Sequence, residues 1–258
     1  MPVLTAPASW RTVDFISDLH LSAEQPETFA VWQDYLARTS SDAVFMLGDV
    51  FEVWVGDDLL ADAQAVGESF EARCAQAMSQ AGTRLELFFM HGNRDFLVGQ
   101  QLMTHCHMRL LDDPTVFEFG KRRWLLSHGD ALCLGDVDYL QFRAQVRSPN
   151  WQAAFLAKPL AERQSIARAL RAQSEARKKT DAVYADVDGP AALDWLSAAN
   201  ASTLLHGHTH RAGQHVLGND RQRVVLSDWD LHARPARAEV LRLNLASGEF
   251  VRVPLVPR

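Results

Sequence analysis

Val13-Asp14-Phe15-Ile16-Ser17-Asp18-Leu19-His20 is the stretch that decides the fold. It is a short apolar run that breaks into a turn bearing an aspartate and a histidine two residues apart. Four further runs end in the same way. Val44–Leu47 leads into Gly48-Asp49, and Leu85–Met90 into His91-Gly92-Asn93-Arg94-Asp95. Trp124–Leu126 leads into His128-Gly129-Asp130, and Thr203–Leu205 into His206-Gly207-His208-Thr209-His210. Runs of this length, rich in Val, Leu and Phe and bounded by glycine, read as buried strands. Strand ends are where open α/β sheets place their sites, so five polar turns at five strand ends predict one shared centre.

Outward from these turns, helices alternate with the strands of the first half. The spacing predicts a helix from about Glu27 to Arg38, with Pro26 near its start. A longer one is predicted from about Leu59 to Gln80, stopped at Gly82. Thr115–Phe119 and Arg123–Leu126 flank Gly120-Lys121 as a hairpin. Arg223–Ser227, Ala238–Leu245 and Phe250–Leu255 read as strands, so two packed sheets with helices outside are expected.

Between about residues 136 and 181 the texture changes. Phe142, Val146, Trp151, Phe155, Leu156, Leu160, Ile166 and Leu170 fall at helical spacing, and Pro149 and Pro159 divide the stretch into three helices. Arg143, Arg147, Lys158, Arg163, Arg168, Arg171, Arg177, Lys178 and Lys179 outnumber Asp138, Glu162, Glu175 and Asp181. Two readings stand at this level: a lid over an anionic substrate, or a helical hairpin with a solvated charged face. The domain organisation expected is one domain over residues 1–258 with this helical insertion.

The 258 residues carry a formal charge of −6, which argues against the broad basic surface of a nucleic-acid binder. Cys74, Cys106 and Cys133 are too few and too scattered for a disulfide framework or a zinc site, which fits a reducing cytoplasm. The first residues lack the pattern of a secretory signal. No window approaches the ~18 apolar residues of a spanning helix.

Aspartate and histidine two residues apart on a turn can converge on one cation, as in Asp18-Leu19-His20, and His208-Thr209-His210 offers the same arrangement with two imidazoles. A mixed oxygen and nitrogen donor set suits Mn²⁺, Fe²⁺ or Zn²⁺ better than Ca²⁺ or Mg²⁺. Asp18, His20, Asp49, Asn93, His128, His208 and His210 exceed what one cation needs, so two are expected. Asp49, alone on its turn, is the candidate bridge, and Asn93 adds a neutral oxygen that leaves the site attractive to phosphate. His91, His105, His107, His206, His215 and His232 read as structural histidines. Phosphate-cradling and nucleophile motifs of the P-loop, GxGxxG, GxSxG and HExxH types are absent.

In order and identity these turns resemble the calcineurin-like metallophosphoesterases, whose pattern is D-x-H, G-D, G-N-H-[D/E], G-H and G-H-x-H. The resemblance runs from about Val13 to His210, with two departures: Ser127 precedes His128 where the family has glycine, and Arg94 stands where most members have histidine. In the wider family that histidine is the candidate proton donor to the leaving group. Arginine keeps its proton at any working pH, but it contacts phosphate bidentately. The site therefore suits a leaving group that departs as a stable anion, as from a pyrophosphate.

Longer strings are similar to the subfamily of UDP-2,3-diacylglucosamine pyrophosphatases. They run from Gly48 to Asp58, from His91 to Gly99, from His128 to Cys133, from Tyr139 to Arg143 and from His206 to Arg211. The resemblance implies a four-layer αββα sandwich capped by the helical insertion as a lid, and two Mn²⁺ per chain. Carried over by position, Asp18, His20, Asp49 and His210 would hold one ion, and Asp49, Asn93, His128 and His208 the other. Asn93, Arg94, Asp136, Ser174 and His208 would contact substrate, with Lys178 or Lys179 from the insertion. Asp49, Asn93 and Arg94 would carry the catalysis.

The implied reaction is hydrolysis of the UDP-2,3-diacylglucosamine pyrophosphate to UMP and 2,3-diacylglucosamine 1-phosphate in lipid A synthesis, with hydroxide attacking the UMP-side phosphorus. Trp151, Phe155, Leu156 and Leu160 would either line an acyl-chain slot or pack as core. The implied location is cytoplasmic, peripheral on the inner membrane surface, with a monomer expected and no nucleic-acid partner. A water-soluble nucleotide pyrophosphatase on the same scaffold and a non-catalytic binding module are the competing readings.

Overall fold

The five apolar runs form strands within two six-stranded sheets. The computed structural model describes residues 1–60, 69–178 and 185–256, with the side chains of 173–178 outside the description. One sheet contains β2 (Thr12–Ile16), β3 (Ala43–Leu47), β4 (Glu86–Met90), β5 (Met108–Leu111), β11 (Glu239–Asn244) and β12 (Phe250–Pro254), in the order β12-β11-β2-β3-β4-β5. The other contains β1 (Val3–Thr5), β6 (Thr115–Phe119), β7 (Arg122–Leu126), β8 (Thr203–His206), β9 (Gly213–Gly218) and β10 (Arg221–Val225), in the order β1-β6-β7-β8-β10-β9. β2, β3, β4 and β5 pair in parallel, as do β7 and β8, so their C-terminal ends lie side by side.

All five residues of β3 are buried, which explains the continuous apolar run in place of an alternating one. The two-residue period of a strand sends them alternately into two cores. Phe15, Phe45 and Phe88 turn toward Phe117, Trp124, Leu205 and Val224 of the second sheet. There Phe45 stacks on Phe88 at 4.5 Å and meets Phe117 edge-on at 5.0 Å. Val44, Met46, Leu87 and Phe89 point the other way, against α1 (Pro26–Arg38), α2 (Phe70–Gly82) and α3 (Gln100–His105). On the far side of the second sheet, Val116, Leu125 and Leu204 pack on Ala192 and Leu196 of α7 (Gly189–Ala199). The result is helix, sheet, sheet, helix, the four layers expected.

The predicted helix from Leu59 to Gln80 is corrected. A 3₁₀ turn occupies Asp57–Leu60, and α2 begins at Phe70, where the Ser69 hydroxyl accepts from Ala72 N; residues 61–68 lie outside the description. The turn is pinned by the Asp57 carboxylate, which accepts from Trp54 Nε1 (3.0 Å), Gly99 N (2.9 Å) and Leu102 N (3.0 Å). The last two are donors at the start of α3, whose own N-cap, Gly99, has no side chain to serve them.

Three helices do span the basic stretch: α4 (Val137–Val146), α5 (Pro149–Leu156) and α6 (Leu160–Lys178). Several of its cations hold it down. Arg163, 2% exposed, binds Asp58 and the carbonyls of Val55 and Lys158. Arg147 donates to Gly92 O at 2.9 Å, whereas Lys158 pairs with Glu162 inside the stretch itself. Phe155 is buried, and Trp151 and Leu160 pack against the same core, whereas Leu156 stays exposed. Cys74, Cys106 and Cys133 are buried free thiols. Among the described residues no helix is long and apolar enough to cross a membrane.

Candidate metal centre and active site

Each predicted ligand leaves the C-terminal end of a strand: Asp18 and His20 after β2, Asp49 after β3, Asn93 after β4, His128 after β7, and His208 and His210 after β8. Parallel pairing inside each sheet, and stacking of the two sheets, brings these ends to one edge. The chain must turn sharply there. Asp18, His20, Asp49, His208 and His210 have φ between 49° and 64°, five of the nine non-glycine residues with positive φ among those described. L-residues avoid that region unless their surroundings hold them, and such positions concentrate at functional sites. Neighbouring turns touch closely: a Cβ on Gly92 would collide with Asp49 N and Oδ1, and one on Gly207 with Asp18 Oδ2 and Ser17 Oγ.

Two groups of donors converge. Asp18, His20 and His210 form the first, with His20 Nε2 3.4 Å from His210 Nε2 and His210 Nε2 3.3 Å from Asp18 Oδ1. Asp18, Asp49 and His128 form the second, with His128 Nε2 3.8 Å from Asp49 Oδ1. Asn93 Oδ1 lies 3.0 Å from His128 Nε2 and 2.9 Å from His208 Nδ1, which brings the last two predicted ligands into the cluster. Asp18 thus belongs to both groups, and Asp49 to the second.

Hydrogen bonds from backbone amides and one hydroxyl fix these carboxylates. Asp18 accepts from His208 N at 2.9 Å and from Ser17 Oγ at 2.5 Å, and Asp49 accepts from Arg94 N at 2.8 Å. Beneath them the fully buried Asp95 accepts from Gly92 N and Val50 N, both at 2.8 Å, and at longer range from Asp49 N and Phe51 N. It ties the Asp49 turn to the Asn93 turn.

The electrostatics call for positive charge. Burial alone would raise the Asp18 carboxyl, but the contact with His210 and the charges of His128 and His20 hold it well below the usual range. His128 goes to about 9: burial depresses it, but Asp49, Asp130 and Asp18 outweigh that. Burial and the neighbouring His128 bring His208 down to about 4. Burial and the nearby Asp49 push Asp95 up to about 6. A cluster that draws protons onto an imidazole this way has the charge to bind cations.

The donors therefore fit divalent metals. Carboxylate, amide oxygen and imidazole nitrogen are the mixed set that suits first-row ions. The facing His20 and His210 nitrogens are a pair that one hydrogen serves in only one sense and that a shared cation serves in both.

The other predicted residues are placed unevenly. Arg94 lies beside the cluster, its guanidinium on Glu52 Oε1 at 2.7 Å. Asp136 is the N-cap of α4, accepting from Tyr139 N at 3.1 Å. On the same turn the Tyr139 ring stacks on His208, 5.9 Å between centroids. The side chains of Ser174 and Lys178, and all of Lys179, lie outside the described residues. Of the histidines read as structural, His91 contacts Val98 O and the buried His206 contacts Gly207 O.

Four acids that sequence reasoning did not single out surround the cluster. Glu52 and Asp228 stand behind His20 and His210, Asp95 underlies two turns, and Asp130 accepts from Tyr139 and Arg143. Glu52, Asp95 and Asp130 sit inside the motif strings and could have been found there. Asp228 lies in Leu226-Ser227-Asp228-Trp229, which carries no motif.

The family described as calcineurin-like phosphoesterase matches residues 11–212. A UDP-2,3-diacylglucosamine hydrolase of Chromohalobacter salexigens is 43% identical over 241 residues, covering 90% of this chain and 93% of its own. Its counterpart in Chromobacterium violaceum is 44% identical, covering 84% and 90%. That of Ralstonia nicotianae is 44% identical, covering 90% and 89%.

Proposed function

This chain belongs to the calcineurin-like phosphoesterase family, and on that premise we propose that it hydrolyses UDP-2,3-diacylglucosamine to UMP and 2,3-diacylglucosamine 1-phosphate, a step of lipid A synthesis. The relatives that carry this name match along nearly the whole chain. The observation that carries the reading is the convergence of all seven predicted donors at one sheet edge with Arg94 beside them. Family and donor set together make the enzyme a divalent-metal-dependent hydrolase.

The finer assignment is two Mn²⁺, of which one would be held by Asp18, His20, Asp49 and His210 and the other by Asp49, Asn93, His128 and His208. When bound, such a pair supplies Lewis acidity, withdrawing charge from phosphoryl oxygens and acidifying water. The chain's own groups do the rest. Arg94 forks onto the equatorial oxygens of the phosphorus under attack. Asn93 and His208 orient that phosphoryl group. Water oxygen bonds to the UMP-side phosphorus as its proton passes to bulk solvent, and the bond from that phosphorus to the bridging oxygen breaks. The pair of electrons leaves on 2,3-diacylglucosamine 1-phosphate, a phosphate anion that needs no proton at departure. Arginine can therefore replace the histidine that a more basic leaving group requires.

In this reading the chain acts as one domain, α4 to α6 form a lid, Asp136 and Ser174 contact the substrate, and Lys178 or Lys179 holds the sugar phosphate. The enzyme works as a monomer on the cytoplasmic face of the inner membrane. The test follows UMP release by metal-stripped protein with and without Mn²⁺, on the diacylated substrate and on UDP-glucosamine. Mn²⁺-dependent release from the acylated compound alone is expected. Equal turnover of both would leave the phosphoesterase reading standing and overturn the lipid specificity.

A further inference from the structure

His20 and His210 come from the first and last turns of the cluster, 190 residues apart, yet each ring is backed by a carboxylate. Glu52, its side chain 12% exposed, places Oε2 3.2 Å from His20 Nδ1. Asp228, its side chain 10% exposed, places Oδ2 3.7 Å from His210 Nδ1. On the opposite edges the two Nε2 atoms face each other at 3.4 Å. Each carboxylate is held in turn by arginine: Glu52 by Arg94 at 2.7 Å and Arg171 at 3.2 Å, and Asp228 by Arg237 at 2.7 and 3.1 Å.

A neutral imidazole has one N–H. A carboxylate on the Nδ1 side favours the hydrogen there by its charge even at ion-pair range, and Asp18 Oδ1, 3.3 Å from His210 Nε2, lies on the side where a cation would be held. Two free lone pairs aimed at each other repel, so without outside support the rings would turn apart or exchange tautomers. Building on the metal-dependent reading above, we infer that Glu52 and Asp228 are positioning residues that hold His20 and His210 with Nε2 turned inward to share one cation. Glu52 has a second task. The same carboxylate orients the Arg94 guanidinium and meets Arg171 of α6, so it joins the metal side of the site to the phosphate side. Among the described residues Asp228 shows no such link, its partner Arg237 reaching on to Asp230. The two acids should therefore differ in one measurable respect.

The experiment uses the full, metal-stripped chain and follows the disappearance of the electron paramagnetic resonance signal of free aqueous Mn²⁺. Wild type is compared with Glu52→Gln and Asp228→Asn, and with Glu86→Gln as a control, because Glu86 forms an exposed pair with Arg109 remote from the cluster. Both test substitutions keep side-chain size, and melting in chelator checks the fold. Outer carboxylates of this kind are worth roughly 10–100-fold in metal affinity. A loss of that size in both variants, with the control unchanged, is expected. Glu52→Gln should also raise KM for the nucleotide substrate several-fold at saturating Mn²⁺, and Asp228→Asn should leave it unchanged. Native Mn²⁺ affinity in both variants overturns the inference and leaves the metal reading standing. A wild-type chain that takes up no Mn²⁺ overturns both. Should Glu52→Gln fail to fold, the affinity of Asp228→Asn decides alone.

Discussion

Replacing Asp95 with asparagine should separate the geometry of the site from the stability of the fold. Asp95 is fully buried, and two backbone donors, Gly92 N and Val50 N, reach it at 2.8 Å on different oxygens. Asparagine keeps one acceptor and turns an amide NH₂ toward the other donor. One buried N–H left without a partner costs about 1–3 kcal/mol. Against this, the substitution removes a buried negative charge that lies close to Asp49, which offsets part of the loss. For a chain of this size each kcal/mol moves the melting temperature by about 2–4 °C. The net shift should therefore stay under about 10 °C, and the protein should be folded at 25 °C.

Activity is far more exposed. Asp95 fastens the Asp49 turn to the Asn93 turn, and a displacement of about 1 Å at such a site lowers rates by about 10²-fold. UMP release should fall by about that factor, measured well below the melting temperature and at saturating Mn²⁺. A variant that melts lower but turns over at the wild-type rate would show that the two turns hold their geometry without the carboxylate. An activity loss no larger than the unfolded fraction would refute the reasoning equally.

Arg94→His should retain Mn²⁺ binding and lose about 10²-fold in UMP release, the scale of one lost charge-stabilising group; an unchanged rate would remove the arginine argument. Asp49→Ala should abolish detectable turnover and halve the Mn²⁺ stoichiometry or worse, as read by metal analysis after equilibrium dialysis. The Arg223 guanidinium, hydrogen-bonded to Asp186 at 2.6 and 2.7 Å with Arg211 nearby, holds that carboxyl well below its ordinary value. A depressed folded pKa contributes stability that is present above the unfolded pKa of about 3.9 and is lost as pH falls below it. Asp186→Asn should therefore melt below wild type at pH 7, with the gap closing toward pH 2; a constant gap would show that the pair contributes nothing through its charge.

Much was legible in the chain because the determinants were local. A parallel strand buried on both faces must be continuously apolar, and the polar turn that ends it must carry the ligands, so Val44–Leu47 followed by Gly48-Asp49 announces both at once. Pro149 and Pro159 divided the basic stretch into helices correctly for the same reason, since proline acts on its own backbone. The helix predicted from Leu59 went astray because Asp57, a residue just outside it, spends its carboxylate on Gly99 N and Leu102 N far along the sequence. Composition left cations such as Arg147 and Arg163 open to a lid or to a solvated face, and their partners are a carbonyl at Gly92 and a carboxylate at Asp58.

By itself the sequence located the strand ends, the seven polar residues that meet at one edge and Arg94 beside them, since each is written in residues adjacent along the chain. Only the tertiary structure decided that Asp18 stands in both donor groups, that Asp95 binds two turns together, and that Glu52 and Asp228 back the two facing imidazoles. The physical reason is that a carboxylate acts through atoms within about 3–4 Å of it. Which atoms those are is set by the stacking of two sheets, whose facing residues lie up to 190 positions apart in the chain.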